Sequence, residues 1–325
     1  MTEKSKRIAQ KRFVTGLLLA ILGSIAFSGK AIIVKLAYRY GVDAVTLIMY
    51  RMLFALPIFA VMAWWASRGK AALTRNDWLG VLGLGFSGYY LASFLDFAGL
   101  AYISAALERL ILYLNPTLVL LLGWVLYKKP MSARQVGAMA LSYAGILLVF
   151  GHELNFDGAI VGNNAGNTES NTTWGAMLVF ASAVSYAIYL SYSGEMVQRL
   201  GAQRLVGLAT TVACLLCIAQ FLLLRPLSSM GVAPQVIWLS VLNATLCTAV
   251  PVLAVMMAIE RIGAPLAAQT GMIGPMSTIL MGVFILGEPL NAWIMAGTAL
   301  VLSGVYWVSR KAPESLESQK LDIQK

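Results

Sequence analysis

Ten apolar runs, most of them about 20 residues long, succeed one another along the chain with mostly short gaps between them. They are Phe13–Leu36, Ala44–Trp65, Trp78–Phe97, Ala105–Tyr127, Arg134–Phe150, Trp174–Tyr192, Leu205–Leu224, Val236–Ile259, Ala264–Leu286 and Ala292–Val308. A helix of about 20 residues matches the thickness of bilayer hydrocarbon. In lipid each backbone N–H and C=O must be satisfied within its own segment, and a helix does this. An all-α membrane protein with ten transmembrane helices is therefore predicted. Charged residues make up 12% of the chain and apolar residues 59%. A soluble domain carries roughly a quarter charged residues, so a chain this poor in charge has lipid as its main solvent.

The formal charge of +10 does not mark a nucleic-acid partner, because the basic residues fall in the gaps between apolar runs. With the N-terminus inside, the inner gaps and tails hold 18 of the 24 Lys and Arg residues, from Lys4 to Lys325. The outer gaps hold only Arg39 and Arg225, and Lys30, Lys35, Arg51 and Arg109 lie within runs. This is the positive-inside pattern. It predicts a multi-pass protein of the cell (inner or plasma) membrane with both termini cytoplasmic. The basic segment Met1–Arg12 leads into the first run without a small-residue cleavage signature, which reads as a retained helix.

Displaced by 159 residues, the chain resembles itself. Gly16 falls on Gly175, Pro116 on Pro275, Gly123 on Gly282, Pro130 on Pro289, Ala133 on Ala292 and Gly145 on Gly304. At a displacement of 160, Trp78-Leu79 falls on Trp238-Leu239, Val81-Leu82 on Val241-Leu242 and Ala98 on Ala258. Apolar matches arise by chance, whereas Pro, Gly and Trp matches in one register do not arise easily. The organisation predicted is a basic tail (1–12), a first repeat (13–151), a polar connector rich in Gly and Asn (152–173), a second repeat (174–310) and a tail (311–325). Five spans per repeat is an odd number, so the second repeat enters the membrane from the opposite side. Two inverted five-helix repeats around a central cavity are an architecture that secondary transporters use.

The ends of the repeats carry a further signal. Gly274-Pro275 is followed by Leu286-Gly287-Glu288-Pro289-Leu290 and then by Gly297 and Gly304. The first repeat has Asn115-Pro116 and then Tyr127-Lys128-Lys129-Pro130, with Lys129 where the acid would stand. These residues resemble the drug/metabolite transporter superfamily in its EamA-like branch, and the resemblance runs from about Phe13 to Arg310. It implies ten helices in two five-helix units, a central cavity, and export of amino acids or other small metabolites. The motifs identify the fold and say little about the substrate.

Ionisable groups within spans are costly and need an account. Lys30, Lys35, Arg51, Asp96, Glu108 and Arg109 all fall toward the outer side and all belong to the first repeat. Together they carry a net +2. Two readings stand: a cluster that binds or gates an anionic or zwitterionic substrate, or ion pairs that hold helices together, with Lys35 reaching to the interface. Helical spacing puts Tyr89, Ser93 and Asp96 on one face, Glu108 and Asn115 on another, and Ser182, Tyr186 and Tyr189 on a third. Such faces line a cavity or bond helices to one another, and Tyr189 fits an interfacial aromatic belt equally. Pro116, Pro251 and Pro275 remove helix hydrogen bonds and free the carbonyls of Leu112, Cys247 and Gly271. They read as kinks that frame a cavity, either static or acting as hinges. The glycines Gly80, Gly83, Gly85 and Gly88 favour close helix packing and carry no expected ligand role. His152 is expected to be solvated in the connector.

Other functions are disfavoured. Cys214, Cys217 and Cys247 all sit in apolar runs and read as packing residues. No cofactor or metal motif, no H-E-x-x-H, no G-x-S-x-G and no nucleotide-binding G-x-x-x-x-G-K-[ST] occurs. The expected partners are a small-molecule substrate and the lipid bilayer, with protons or an exchanged solute as the coupling species. Asp96 and Glu108 are the candidate proton carriers. A receptor or scaffold is the alternative outside transport, and a drug or nucleotide-derivative carrier the alternative within it.

Overall fold

The computed structural model describes residues 3–128, 131–160, 168–262, 270 and 273–309. Among these the elements are α-helical, with short π and 3-10 segments. The helices are α1 (Glu3–Tyr38), α2 (Ala44–Ser67), α3 (Arg75–Leu100), α4 (Ala105–Leu112), α5 (Asn115–Tyr127), α6 (Ala133–Ile160), α7 (Thr168–Leu200), α8 (Ala202–Leu224), α9 (234–262), α10 (Ile273–Leu286) and α11 (Ala292–Ser309). Among the described residues eight segments are long and apolar enough to cross a membrane, with α4 and α5 counted as one, and α10 and α11 are shorter apolar helices. The run predicted from Ala264 is described only from Ile273 onward, apart from Thr270.

Local chemistry sets the helix starts. Asp43 caps α2, its Oδ1 accepting from the Val45 and Thr46 N–H groups, and its Oδ2 from the Thr46 hydroxyl. Burial pushes the Asp43 carboxyl up, but the Thr46 bonds and the Arg225 guanidinium, 3.2 Å away, outweigh it and hold the group below its ordinary range. At α3, Thr74 and Asp77 form a reciprocal capping box. At α5 the helix ends on Lys128 in the left-handed region (φ 50°), and α10 ends on Gly287 (φ 74°), the position 159 residues on.

The helices pack chiefly as α2 on α8, α6 on α11, α1 on α9 and α3 on α7, with α1 also against α10. Small residues set the closest approach. A methyl built on Gly145 would lie 2.7 Å from the Gly297 carbonyl oxygen, and one on Gly297 would lie 2.6 Å from that of Gly145. Only glycine at both positions lets α6 and α11 come this near.

Several expectations need revision. Much of the predicted connector is helical, since α6 runs on to Ile160 and α7 begins at Thr168. His152 is half-buried at the end of the α6 run, 3.4 Å from the Asn291 side-chain nitrogen and tilted over Trp293, and so is not simply solvated. Pro116 does not kink a continuous helix. The chain breaks at Tyr113–Leu114, and Pro116 stands in the first turn of α5, where its missing N–H costs nothing. Pro251 follows a π segment, Thr245–Ala249, in which the Thr248 hydroxyl donates to the Asn243 carbonyl. Pro275 is the third residue of α10 as described, and Gly271, whose carbonyl it would free, lies outside the described residues. Lys129 and Pro130 also lie outside them.

Candidate functional site

The first-repeat helices bring their ionisable groups to one place. The Lys30 ammonium on α1 sits 2.5 Å from Asp96 Oδ2 on α3 and 3.5 Å from Glu108 Oε1 on α4. Arg109 Nε lies 4.0 Å from Glu108 Oε2. Glu108 is fully buried, and neither of its oxygens accepts a hydrogen bond. Its contacts with Lys30 and Arg109 are therefore charge pairs without hydrogen-bond geometry. Insertion scales put about 2.5–3.5 kcal/mol on a single Lys, Arg or Asp at mid-membrane. Two cations and two anions gathered within 4.0 Å contacts offset much of that cost.

The arginines reach across to the other half of the chain. Arg109 Nε donates to the Thr278 hydroxyl at 3.0 Å and Arg51 Nε to the Thr248 hydroxyl at 3.1 Å. Arg109 also donates to the Phe27 carbonyl, and its guanidinium lies over the Phe27 ring. Arg51 lies over the Phe97 ring at 5.1 Å. Both are cation–π contacts that substitute in part for water.

These groups border a cavity of about 250 Å³. Lys30, Arg51, Asp96 and Arg109 supply its charged wall, and Tyr89, Ser93, Asn115, Ser182 and Tyr186 a neutral polar one. Phe27, Phe59, Leu112 and Val252 are among its apolar lining. The break between α4 and α5 lies on the wall, since Leu112, Tyr113 and Asn115 all line it. The Asn115 side-chain oxygen and Asp96 Oδ1 have no hydrogen-bond partner. Such a space takes a small organic molecule with charged and apolar parts.

Seven of the nine predicted site residues thus line one cavity: Lys30, Tyr89, Ser93, Asp96, Arg109, Asn115 and Tyr186. Glu108 and Tyr189 stand behind the wall. Tyr189 is buried, edge-on to Tyr89 and stacked on Tyr186, with the Tyr89 and Tyr189 hydroxyls 3.2 Å apart. It braces the tyrosines that do face the cavity, and the interfacial reading does not hold. Gly88 lines the cavity inside the π segment Gly85–Leu91, where only packing was expected. Thr248 and Phe59 gave no sequence signal, because a lone Thr or Phe in an apolar run looks like any other.

Lys35 is not merely reaching for the interface. Its ammonium pairs with Glu288 Oε1 at 3.2 Å, and that oxygen also accepts from the Ala105 N–H, while Arg39 donates to the Leu286 carbonyl. The L-G-E turn is thereby tied to α1 and to the start of α4. The tie borders a second cavity of about 270 Å³, which His152 and Asn291 also line.

Comparison with known proteins gives this arrangement a setting. The sequence profile of the EamA-like transporter family matches residues 14–151 and again residues 173–310. The chain belongs to the EamA-like transporter family. The two matches, beginning at 14 and 173, stand 159 residues apart. The family lies within the drug/metabolite transporter superfamily, and the chain is a multi-pass membrane protein of a transporter family. A Bacillus subtilis (strain 168) protein named uncharacterized transporter YcbK is 29% identical over 302 residues, covering 90% of this chain and 91% of that one. An uncharacterized transporter of Archaeoglobus fulgidus is 23% identical over 300 residues, covering 91% of this chain and 98% of that one. A protein solved by crystallography superposes with a TM-score of 0.57 at 19% identity, over 95% of this chain and 99% of that one, which shows likeness of fold.

Proposed function

We propose that this EamA-like protein is a secondary transporter. It moves a small amino-acid-like metabolite, zwitterionic or anionic, out of the cell by alternating access between two inverted five-helix halves. The observation that carries the reading is the cavity itself, where both signs of charge meet aromatic rings between helices of the two halves. The packing supports the symmetry. Exchanging the halves turns α1 on α9 into α7 on α3 and leaves α2 on α8 and α6 on α11 unchanged. The π segments Gly85–Leu91 and Thr245–Ala249 begin 160 residues apart, in the register of the Trp78 and Trp238 match. Arg204 bonds Ser67 and the Ala71 carbonyl, and Arg199 pairs with Asp77. This gathers at one end residues that the charge count assigns to the cytoplasm, where both termini belong. Asp43 and Arg225 meet at the other end.

The coupling species is a proton or an exchanged solute, with Asp96 and Glu108 as the groups that would carry a proton. Purified protein in sealed vesicles tests the reading: labelled L-phenylalanine or L-leucine should exchange against unlabelled solute on the inside, and Lys30→Gln should abolish it. Vesicles that hold folded protein and exchange no amino acid or related acid would overturn it. An imposed pH gradient then separates the coupling modes. Drive that survives in Asp96→Asn and Glu108→Gln would remove the proton role of these acids.

A further inference from the structure

We propose that Arg51 is the seat for a substrate carboxylate, so that the cavity selects molecules bearing a single carboxylate beside an apolar or aromatic part. The inference rests on the transporter reading above and narrows its substrate class.

The argument begins with charge. Lys30 and Arg109 are matched by Asp96 and Glu108 within 4.0 Å contacts, so these four groups sum to zero. Arg51 is the remaining charged group on the cavity wall. It is 5% exposed, and no carboxylate among the described residues pairs with it. Its Nε is spent on the Thr248 hydroxyl, a neutral acceptor, and its guanidinium covers Phe97. Its NH1 is buried and has no hydrogen-bond partner at all.

An arginine buried without a counter-charge is costly, and a guanidinium left with a free donor is more so. A planar carboxylate supplies both missing terms: the opposite charge and acceptors for the guanidinium. The rest of the cavity fits the other end of such a molecule. Asp96, on the same wall, is the carboxylate that would receive an ammonium group. Phe27, Phe59, Tyr89 and Tyr186 offer an apolar and aromatic surround. The uncompensated +1 makes the carboxylate obligatory and the ammonium optional. Amino acids and their deaminated acids are therefore accepted, and decarboxylated amines are refused.

Three probes of one skeleton test this in sealed vesicles: L-phenylalanine, 3-phenylpropionate and phenethylamine. Wild-type protein should move the first two and not the third. Arg51→Gln keeps a donor for Thr248 and removes the charge. It should weaken apparent affinity for both carboxylates at least about tenfold, while melting no lower than wild type, since no ion pair is lost. Arg51→Lys keeps the charge without the planar fork and should fall between the two. If Arg51→Gln fails to fold, the inference fails in its claim that the charge is unpaired at rest. Full affinity in Arg51→Lys would then overturn the bidentate seat as well. Phenethylamine moving as fast as the acids, or Arg51→Gln moving them unchanged, would sink the carboxylate seat and leave the transporter reading standing. If wild-type vesicles move none of the three, both readings fall for this class of molecule.

Discussion

The two halves of the chain share a register and differ in what they put into the cavity. The first half supplies every charge on its wall, from α1, α2, α3 and α4. The second supplies hydroxyls and rings: Ser182 and Tyr186 from α7 and Thr248 from α9, with Thr278 of α10 holding Arg109. Each of the two cavity arginines that reaches the other half ends on a threonine there. The division has a physical logic. A charge held by a carboxylate on the opposite half would resist separation strongly in a medium of low dielectric. A charge held by a hydroxyl can exchange that hydroxyl for water or another acceptor at a cost on the order of 1 kcal/mol. At the cavity the first half keeps its charges mutually compensated, Arg51 apart, and along this seam hydroxyls alone receive the crossing arginines, whereas Lys35–Glu288, Asp77–Arg199 and Asp43–Arg225 join the halves outside it.

The largest effect should follow from breaking the first half's own compensation. Lys30→Ala leaves Asp96 and Glu108 facing each other with Arg109 4.0 Å from the nearer oxygen. It should lower stability by about 3–5 kcal/mol, read as a fall in melting temperature in detergent. Adding Asp96→Asn should restore a good part of the loss. If Lys30→Ala melts like wild type, the cluster is not the compensated unit described above. Testing the seam comes next. Thr278→Val and Thr248→Val should each cost about 1–2 kcal/mol. They should change exchange rate more than melting temperature, because under the alternating access proposed above the bond they remove joins halves that move. An effect on stability as large as that of Lys30→Ala would erase the distinction between a compensated half and a loose seam.

The turns at 128 and 287 sharpen the comparison at smaller scale. Both adopt the left-handed region, one with Lys and one with Gly. Gly287→Ala should cost about 1 kcal/mol. Lys128→Gly should be neutral or gain a few tenths, because relief of strain is offset by a freer unfolded chain. Equal and opposite effects would show that backbone strain alone separates the two turns.

The smallest effect concerns Asp43 and Arg225, a pair in which the second half provides the cation. The Asp43 carboxyl is held below its ordinary range when folded. Its contribution is therefore complete above the unfolded carboxyl's pKa and is lost as pH falls through the folded value. Wild type should melt slightly higher than Asp43→Asn at neutral pH, and the gap should close in acid. A gap that persists in acid would assign the effect to helix capping by the neutral side chain.

Much of this was legible in the residues because membrane insertion writes itself into long apolar runs, and duplication into repeated Pro, Gly and Trp. The charged side chains stood out for the same reason, since each is an exception in an apolar background. Partnering across the halves was not legible. Nothing in the spacing of Arg51 and Thr248, 197 residues apart, announces a bond. The same holds for Lys35 and Glu288, 253 residues apart. The break before Pro116 and the π segments were missed because runs apolar on nearly every face carry little polar contrast in which a phase shift of about 100° could be read. Of the predicted connector, 152–160 and 168–173 are helical, while its densest Gly and Asn run, 161–167, lies outside the described residues. The inward turn of Tyr189 depends on its neighbours Tyr89 and Tyr186, which only the packing of α3 on α7 brings together.

The wide turn in α3 carries a mechanical consequence. A π segment accommodates an additional residue in an otherwise regular helix, and in α3 it spans Gly85–Leu91, directly before Ser93 and Asp96. Were that surplus to travel toward the C-terminal end, each residue it passed would swing by about 100° around the helix axis. Asp96 would then leave Lys30 without α3 tilting or unwinding. A bulge able to creep along its own helix gives this fold a screw as well as a lever.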